Sequence, residues 1–169
     1  MTMMIKRIKE HPVLSEFIED TCCENNVCIT FADDVSPESY VIIKVDKYYN
    51  SLNLGNTPRS VDCLIIRKCI NGDFGLTLVE LKKAKRSSQI NKKQIEEKFE
   101  NTLDDFMKKF EGLFPLTFKE VKLYLISKIK RDIDKTLTLE YLMNKKIKFN
   151  NKVLGIRAEK TNFMIENCY

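Results

Sequence analysis

Three charged residues lie in segments of the sequence that are otherwise apolar, and their types could carry chemistry. Asp62 lies near the start of the run 61–68, and Glu80 and Lys82 lie at the end of the run 75–82. Ionised side chains are rarely buried unless they are paired or bind a metal. Two carboxylates about 4 Å apart repel each other by roughly 4 kcal/mol at an effective dielectric near 20. Lys82 could offset this repulsion, and a divalent cation such as Mg²⁺, which prefers oxygen ligands, would do so better.

The spacing of the two runs predicts a β-hairpin. An Asn-Gly dipeptide at 71–72 separates them, and this dipeptide between apolar runs is the strongest short-range hairpin signal. Side chains alternate along a strand, so Glu80 and Lys82 share one face. A three-residue loop places Asp62 opposite Lys82 with Glu80 as its diagonal neighbour, whereas a two-residue turn places Asp62 on the other face. A magnesium site therefore requires the longer loop.

Asp62 and the Glu-Leu-Lys sequence at 80–82 resemble the motif of the PD-(D/E)xK nuclease superfamily. The chain departs from that motif at Val61, where the superfamily has Pro; Pro58 is the nearest proline before it. The order of predicted elements over about 14–129 is also similar to the core shared by restriction endonucleases, Holliday-junction resolvases and many repair or defence nucleases.

The resemblance implies a metal site and a reaction. Asp62 and Glu80 would ligate Mg²⁺, for which Mn²⁺ would substitute, and the Leu81 carbonyl would help. Lys82 would orient or deprotonate the attacking water and stabilise the developing phosphorane charge. Such a metal lowers the pKa of a water and polarises the phosphate. We therefore expect a Mg²⁺-dependent endonuclease that hydrolyses DNA phosphodiester bonds, of the restriction, repair or defence type.

The resemblance also implies supporting groups from two helices. A further carboxylate often comes from the first helix, where we prefer Glu16 to Glu19. Asp46, on a predicted strand, is a weaker ligand candidate than Glu16. A Gln is often present on the helix that follows the Lys, and Gln89 or Gln94 would serve. The predicted catalytic set is therefore Asp62, Glu80, Lys82 and Glu16.

A basic segment follows the predicted site. The chain carries a net charge of +5, but residues 1–60 hold nine acidic and six basic residues, so the positive charge lies in the remainder. The segment 81–95 has six basic residues and no acidic one. It suits a polyanion, nucleic acid above all, although a solvated charged face explains it equally well. The residues expected to bind the nucleic-acid backbone are Lys83, Lys85, Arg86, Gln89, Lys92 and Lys93.

The flanking sequence predicts the elements that would position this site. Both hairpin strands are apolar on both faces, which predicts burial from two sides. Ser87 or Ser88 is expected to cap a long helix with one apolar stripe. The stripe consists of Ile95, Phe99, Leu103, Phe106, Phe110 and Leu113. The other predicted elements are a helix from Pro12 to Asn25-Asn26, strands over 27–32, 40–46 and 121–126, a loop over 48–58, and a tail with a helix at 138–146 and a strand at 152–156.

These elements predict an α/β fold with a mixed central sheet flanked by helices and a restriction-endonuclease-like core. We expect one nuclease-like domain over 1–169, with a core at about 14–129 and a basic C-terminal extension at 130–169. A chain of 169 residues with 43% hydrophobic and 31% charged residues is ordinary for one globular domain. No apolar run approaches the roughly 20 residues of a membrane helix, and no secretory signal is recognisable. We therefore expect a cytoplasmic protein without membrane contact.

The six cysteines are expected to be reduced, because a chain of this length needs no disulfide scaffold. A metal site built on Cys22, Cys28 and Cys168 has no Cys-x-x-Cys spacing to support it. His11 is the single histidine, and we expect it at the surface rather than in a catalytic site.

Three other interpretations stay open. Asp62 and Lys82 could form a plain cross-strand ion pair. The domain could be a Holliday-junction resolvase, or a catalytically inactive nucleic-acid-binding or assembly subunit. The small size leaves little room for a separate recognition domain, so we expect either a homodimer or a partner protein that brings the chain to DNA.

Overall fold

The computed structural model describes residues 2–129 and 137–169, which form a mixed α/β fold. The strands are β1 (Ile18–Glu19), β2 (Cys23–Glu24), β3 (Val27–Phe31), β4 (Tyr40–Lys44), β5 (Cys63–Lys68), β6 (Phe74–Lys82), β7 (Glu120–Ser127), β8 (Lys146–Phe149), β9 (Lys152–Lys160) and β10 (Phe163–Ile165). The helices are α1 (Met3–Lys9), α2 (Val45–Ser51), α3 (Lys92–Asn101), α4 (Met107–Lys109) and α5 (Leu137–Asn144). A π-helical segment (Thr102–Phe106) joins α3 to α4, and short 3₁₀ helices lie at Leu14–Phe17, Pro37–Ser39, Ser87–Gln89 and Glu111–Leu113.

Seven strands form one mixed sheet in the order β1-β4-β5-β6-β7-β9-β8, and a small sheet has the order β10-β3-β2. Strands β4, β5 and β6 are antiparallel neighbours, while β7 runs parallel to β6 and β9 runs parallel to β7. The predicted mixed sheet with flanking helices is confirmed. Because β8 and β9 belong to the main sheet, the sheet extends past the predicted core boundary at 129. Residues 130–136 of the predicted extension lie outside the described residues.

The two central strands are covered on both faces, as their apolar composition predicts. Leu64 and Ile66 of β5 pack in the larger core cluster with the apolar stripe of α3 and the π-helical segment. Cys63 and Ile65 point to the opposite face, where they pack in a second cluster with β3. Full burial of one large apolar side chain contributes about 1.5–3 kcal/mol. A charged group in these strands is therefore held by packing on both sides.

The hairpin loop is longer than predicted. Lys68 pairs with Phe74, which leaves a loop over 69–73 instead of the predicted three residues. The Cys69 amide donates to the Asp73 carbonyl at 2.7 Å. The two ends of the loop are therefore hydrogen-bonded to each other, next to the first strand pair, Lys68 and Phe74.

The register nevertheless keeps the parity that the site requires. Cys63 pairs with Val79. Asp62, the residue before Cys63, is therefore level with Glu80, the residue after Val79. The predicted pairing of Asp62 with Lys82 is wrong by two residues. A shift by an even number preserves the face, so the three charged residues lie on the side of the sheet that α3 covers.

The predicted helix from Pro12 to Asn25-Asn26 is wrong. After the 3₁₀ helix, Ile18 pairs with Ile43 at the sheet edge. Asn25 and Asn26 have positive φ values of 50° and 59° and form the turn of a hairpin between β2 and β3. Asn tolerates the left-handed region better than most residues do, and strand pairing on either side overrides the helical spacing.

Two other boundaries differ from the prediction. The strand predicted over 40–46 ends at Lys44, and α2 begins at Val45 where a strand end and a loop were expected. The cap of α3 is Asn91, whose side chain accepts from the Gln94 amide at 3.2 Å, rather than Ser87 or Ser88. The predicted apolar stripe is confirmed, because its residues from Ile95 to Phe110 are buried.

All six cysteines are paired, which overturns the expectation of reduced thiols. The disulfides are Cys22–Cys63, Cys23–Cys28 and Cys69–Cys168. No free thiol is left to ligate a metal, so a cysteine metal site is excluded for this oxidised form. Disulfides are typical of oxidising compartments, and the cytoplasmic location therefore stays a prediction. Within the described ranges, no helix has the length and apolar character needed to cross a membrane.

Candidate active site

The three charged residues converge at one edge of the main sheet. Asp62 immediately precedes β5, and Glu80 and Lys82 end β6. Because the two strands are antiparallel, the start of one and the end of the other meet at the same edge. Asp62 and Lys82 line a cleft of about 460 Å³ there, together with Lys83 and with Lys98 of α3.

Asp62 is a buried carboxyl group at the base of this cleft, with 4% of its surface exposed. Its Oδ2 accepts a hydrogen bond from the Leu81 amide at 2.5 Å. Burial, reinforced by the nearby Glu80 charge, raises the pKa of Asp62 to about 6, although Lys98 and the Leu81 amide oppose the shift. The ionised form is therefore poorly compensated, and a further positive charge in the cleft would stabilise it.

Glu80 is fully buried and has two different oxygen environments. Its Oε1 accepts from the Lys82 ammonium at 2.8 Å and from the Lys98 ammonium at 2.7 Å. Its Oε2 is buried and has no hydrogen-bond partner among the described residues. A buried unpaired carboxylate oxygen is costly, and it is also a free donor atom for a hard cation.

Lys82 is the more accessible of the two ammonium groups, with 35% of its side chain exposed against 20% for Lys98. Burial lowers the pKa of Lys82, but the Glu80 carboxylate outweighs this effect and the net pKa is raised. Lys82 therefore stays protonated at neutral pH. It can stabilise negative charge in the cleft, but it is a poor base in this state.

Two further carboxyl groups line the cleft. Glu24 comes from β2 and Asp46 from the first turn of α2. Burial and the neighbouring Asp62 charge raise the pKa of Glu24. Burial also raises the pKa of Asp46, although Lys44 opposes the shift. The Oδ1 atom of Asp46 is buried and has no hydrogen-bond partner in the described part of the chain.

The chemistry of these donors fits a magnesium ion, but their arrangement is incomplete. Glu80 Oε2 and Asp46 Oδ1 are buried carboxylate oxygens without partners, and Mg²⁺ prefers oxygen ligands with one or two carboxylates. Among the residues that the structure describes, no three His, Cys, Asp or Glu side chains are grouped to hold a metal ion. In the present arrangement, Lys82 and Lys98 supply the positive charge. The Leu81 amide bonds Asp62, and a role for the Leu81 carbonyl as a ligand stays a prediction.

The structure does not bring the other predicted catalytic residues to the cleft. Glu16 is exposed on the 3₁₀ helix Leu14–Phe17 and is not among the described residues that line the cleft. Glu19 forms an ion pair with Lys47. The acidic groups that come from the N-terminal half of the chain are instead Glu24 and Asp46.

Neither predicted glutamine is among the described residues that line the cleft. Gln89 Oε1 accepts from the Lys85 and Arg86 amides at 2.8 and 3.2 Å, so it stabilises its own turn. Gln94 is exposed in the first turn of α3. Lys98, one turn further along α3, reaches Glu80 instead. The sequence signal that could have found Lys98 is its position three residues after Ile95 of the apolar stripe, which places it on the same side of α3.

The predicted nucleic-acid-binding residues differ in their exposure and in their contacts. Lys83 lines it directly. Lys85, Arg86 and Lys93 are exposed. The Lys92 ammonium lies 4.2 Å from the centroid of the Tyr141 ring, a cation–π contact that engages this residue within the fold.

Comparison with known proteins identifies no relative. No protein-family model, no curated protein and no solved structure was found to match this chain.

Proposed function

We propose that the protein is a Mg²⁺-dependent nuclease that hydrolyses DNA phosphodiester bonds. The observation that carries this proposal is the convergence of Asp62, Glu80 and Lys82 on one face of the sheet, where Asp62 and Lys82 line a cleft and Glu80 is fully buried. The resemblance to the PD-(D/E)xK motif requires this convergence. It also implies the order that follows the motif, a helix and then a further strand, which α3 and β7 match.

Each residue has a part in the proposed reaction. Asp62 and Glu80 would hold the cation, as the resemblance implies, and Asp46 lines the same cleft. A bound Mg²⁺ supplies a more acidic water and positive charge for the phosphate oxygens. Lys82, which is protonated and partly exposed, stabilises the negative charge that develops on the phosphorus oxygens.

Carboxyl and basic groups are mixed at the cleft. Glu24, Asp46 and Asp62 line it together with four basic residues, which are Arg59, Lys82, Lys83 and Lys98. Burial raises the pKa of Asp62, and the nearby Glu80 charge adds to this shift. A divalent cation would therefore relieve the repulsion between the carboxylates, and the basic residues would attract a phosphodiester.

Exposed basic residues in the segment that follows β6 support a polyanionic substrate. Lys83, Lys85, Arg86 and Lys93 would contact phosphates through a salt-dependent interaction that does not depend on base sequence. This arrangement suits backbone binding. Recognition of a particular DNA sequence would come from a second copy of the chain or from a partner protein.

The test is cleavage of plasmid and four-way-junction DNA with Mg²⁺ or Mn²⁺. We expect Asp62→Ala, Glu80→Ala and Lys82→Ala each to lose more than about 100-fold in rate. Asp104→Ala and Lys108→Ala are matched controls, because these residues form an exposed ion pair with side chains 72% and 73% exposed. Preferential cleavage of the junction would favour a Holliday-junction resolvase. Full activity of all three site variants would refute the site.

A second candidate function is an inactive nuclease fold that binds nucleic acid. The observation that favours it is the pair of lysines on Glu80 Oε1, which neutralises the carboxylate without a metal. A protein of this kind would shift DNA in a gel without cutting it, and EDTA would not change its affinity.

A further inference from the structure

The Thr102 hydroxyl connects the helix layer to the backbone beside Asp62. Thr102 is fully buried and begins the π-helical segment after α3. Its Oγ1 accepts a hydrogen bond from the Val61 amide at 3.1 Å and donates to the Lys98 carbonyl at 2.8 Å. Both contacts end at residues next to, or part of, the candidate active site.

One of the two contacts leads to Asp62 and the other leads to Glu80. Val61 directly precedes Asp62, so the first contact fixes the backbone from which the Asp62 side chain projects. The second contact bonds the backbone of Lys98, whose ammonium lies 2.7 Å from Glu80 Oε1. One hydroxyl group therefore joins the chain segment that carries Asp62 to the helical turn that holds Glu80.

Two further contacts join α3 to the segment that precedes Asp62. The Asn101 side-chain amide donates to the Arg59 carbonyl at 3.1 Å, and the Arg59 guanidinium pairs with Glu97 at 2.5 Å. These two contacts are exposed and hold the preceding part of the segment. Thr102 supplies the buried contact, where an unpaired amide is most costly.

We propose that Thr102 is a positioning residue that sets the placement of Asp62 relative to Glu80 through its hydroxyl. The catalytic meaning of this role rests on the proposed function, whereas the structural coupling does not. π-Helical segments frequently occur at functional sites, and this one begins at the residue that makes the connection. Thr102 itself touches no substrate and is not a catalytic residue.

Three variants of the full chain test the proposal. Thr102→Val replaces the hydroxyl by a methyl group of similar volume and leaves the Val61 amide without its partner. Thr102→Ser retains the hydroxyl. Thr77→Val is the matched control, because Thr77 is also fully buried and its hydroxyl has no hydrogen-bond partner in the described residues.

Amide hydrogen exchange of the metal-free protein gives the first readout. In Thr102→Val, we expect about tenfold faster exchange of the Val61 amide, because it loses its hydrogen-bond partner. We expect a similar change for the Leu81 amide, because its bond to Asp62 Oδ2 weakens when the backbone that carries Asp62 is no longer held. Leu81 is the distant reporter, because its amide donates to Asp62 Oδ2 and Thr102 does not bond it. The Leu64 amide in the core of β5 reports any global loss of stability.

The outcomes separate positioning from a general structural role. Faster exchange of Leu81 relative to Leu64 in Thr102→Val, with normal exchange in Thr102→Ser and Thr77→Val, supports the proposal. It is overturned if Leu81 is unchanged, if Leu64 changes equally, or if Thr77→Val has the same effect.

Mn²⁺ binding measured by calorimetry gives the second readout. We expect Thr102→Val to bind Mn²⁺ about tenfold more weakly, as is common when a group that supports a metal ligand is removed. If the wild-type chain binds no Mn²⁺ and cuts no DNA, the proposed function fails. The exchange experiment still decides whether Thr102 positions Asp62.

Discussion

Replacement of Asp62 by Asn should stabilise the metal-free fold at neutral pH. The carboxyl group has an ordinary pKa of about 3.9 in the unfolded chain, and burial raises it to about 6 in the folded protein. The unfolded chain therefore releases the proton first as the pH rises. The resulting loss of stability begins near pH 4 and is complete once the pH exceeds the folded pKa. A shift of about two pKa units corresponds to about 3 kcal/mol at pH 8.

Urea unfolding in EDTA at pH 4.5 and pH 8 measures this contribution. From the same two pKa values, the cost of the Asp62 charge is about 1 kcal/mol at pH 4.5 and about 3 kcal/mol at pH 8. The stability gain of Asp62→Asn should therefore grow by about 2 kcal/mol between the two conditions. The Asn side chain keeps an oxygen that can accept from the Leu81 amide. Any constant packing difference cancels in the comparison.

A control and a metal titration complete the experiment. Asp104→Asn, at an exposed position, should show no such pH-dependent gain. Saturating Mn²⁺ should stabilise the wild type, by about 2.7 kcal/mol at 100 times its Kd, but not Asp62→Asn. An Asp62→Asn gain of the same size at both pH values would show that this carboxyl group is not held in a costly ionised state, and the electrostatic argument for a cation would fail.

Three further results are expected. Lys98→Met should reduce the free energy of unfolding by about 1 kcal/mol or more, measured in urea, because one of the two cations on buried Glu80 is lost; an unchanged stability would show that Lys82 alone compensates the charge. The double variant Cys22→Ala/Cys63→Ala should lower the stability by about 2–4 kcal/mol, and peptide mapping of the unreduced wild type should recover these two cysteines linked; recovery of free thiols would contradict the pairing. Lys85→Glu should weaken DNA binding. It should also reduce the slope of the logarithm of the DNA association constant against the logarithm of salt concentration by about 0.9, the value for one phosphate contact, and an unchanged slope would remove this residue from the interface.

Local pattern in the sequence was sufficient to predict that Asp62, Glu80 and Lys82 lie on one face of the sheet. Strand alternation places Glu80 and Lys82 on one face, and the Asn-Gly turn brings Asp62 beside them. The loop length was wrong by two residues because hydrogen bonds within 69–73 cannot be derived from turn propensity. The face was still correct, since parity survives a shift by an even number.

Contacts between distant segments were the part that local pattern could not predict. Glu24 reaches the cleft only because strand pairing replaces the expected N-terminal helix, and its turn depends on two adjacent asparagines. Lys98 contacts Glu80 because α3 packs across the sheet. The disulfide Cys22–Cys63 joins residues 41 apart in sequence. Its formation depends on the tertiary fold and on the redox conditions, neither of which residue spacing specifies.

The disulfide Cys69–Cys168 determines where the C-terminal residues leave the domain. It ties Cys168 to the hairpin loop, where the Ile70 amide also donates to the Cys168 carbonyl at 2.9 Å. That loop and Asp62 lie at opposite ends of β5, about 20 Å apart at 3.3 Å per residue. A label or surface linkage attached after Tyr169 would therefore emerge from the far end of the sheet, leaving the cleft unobstructed in an immobilised preparation.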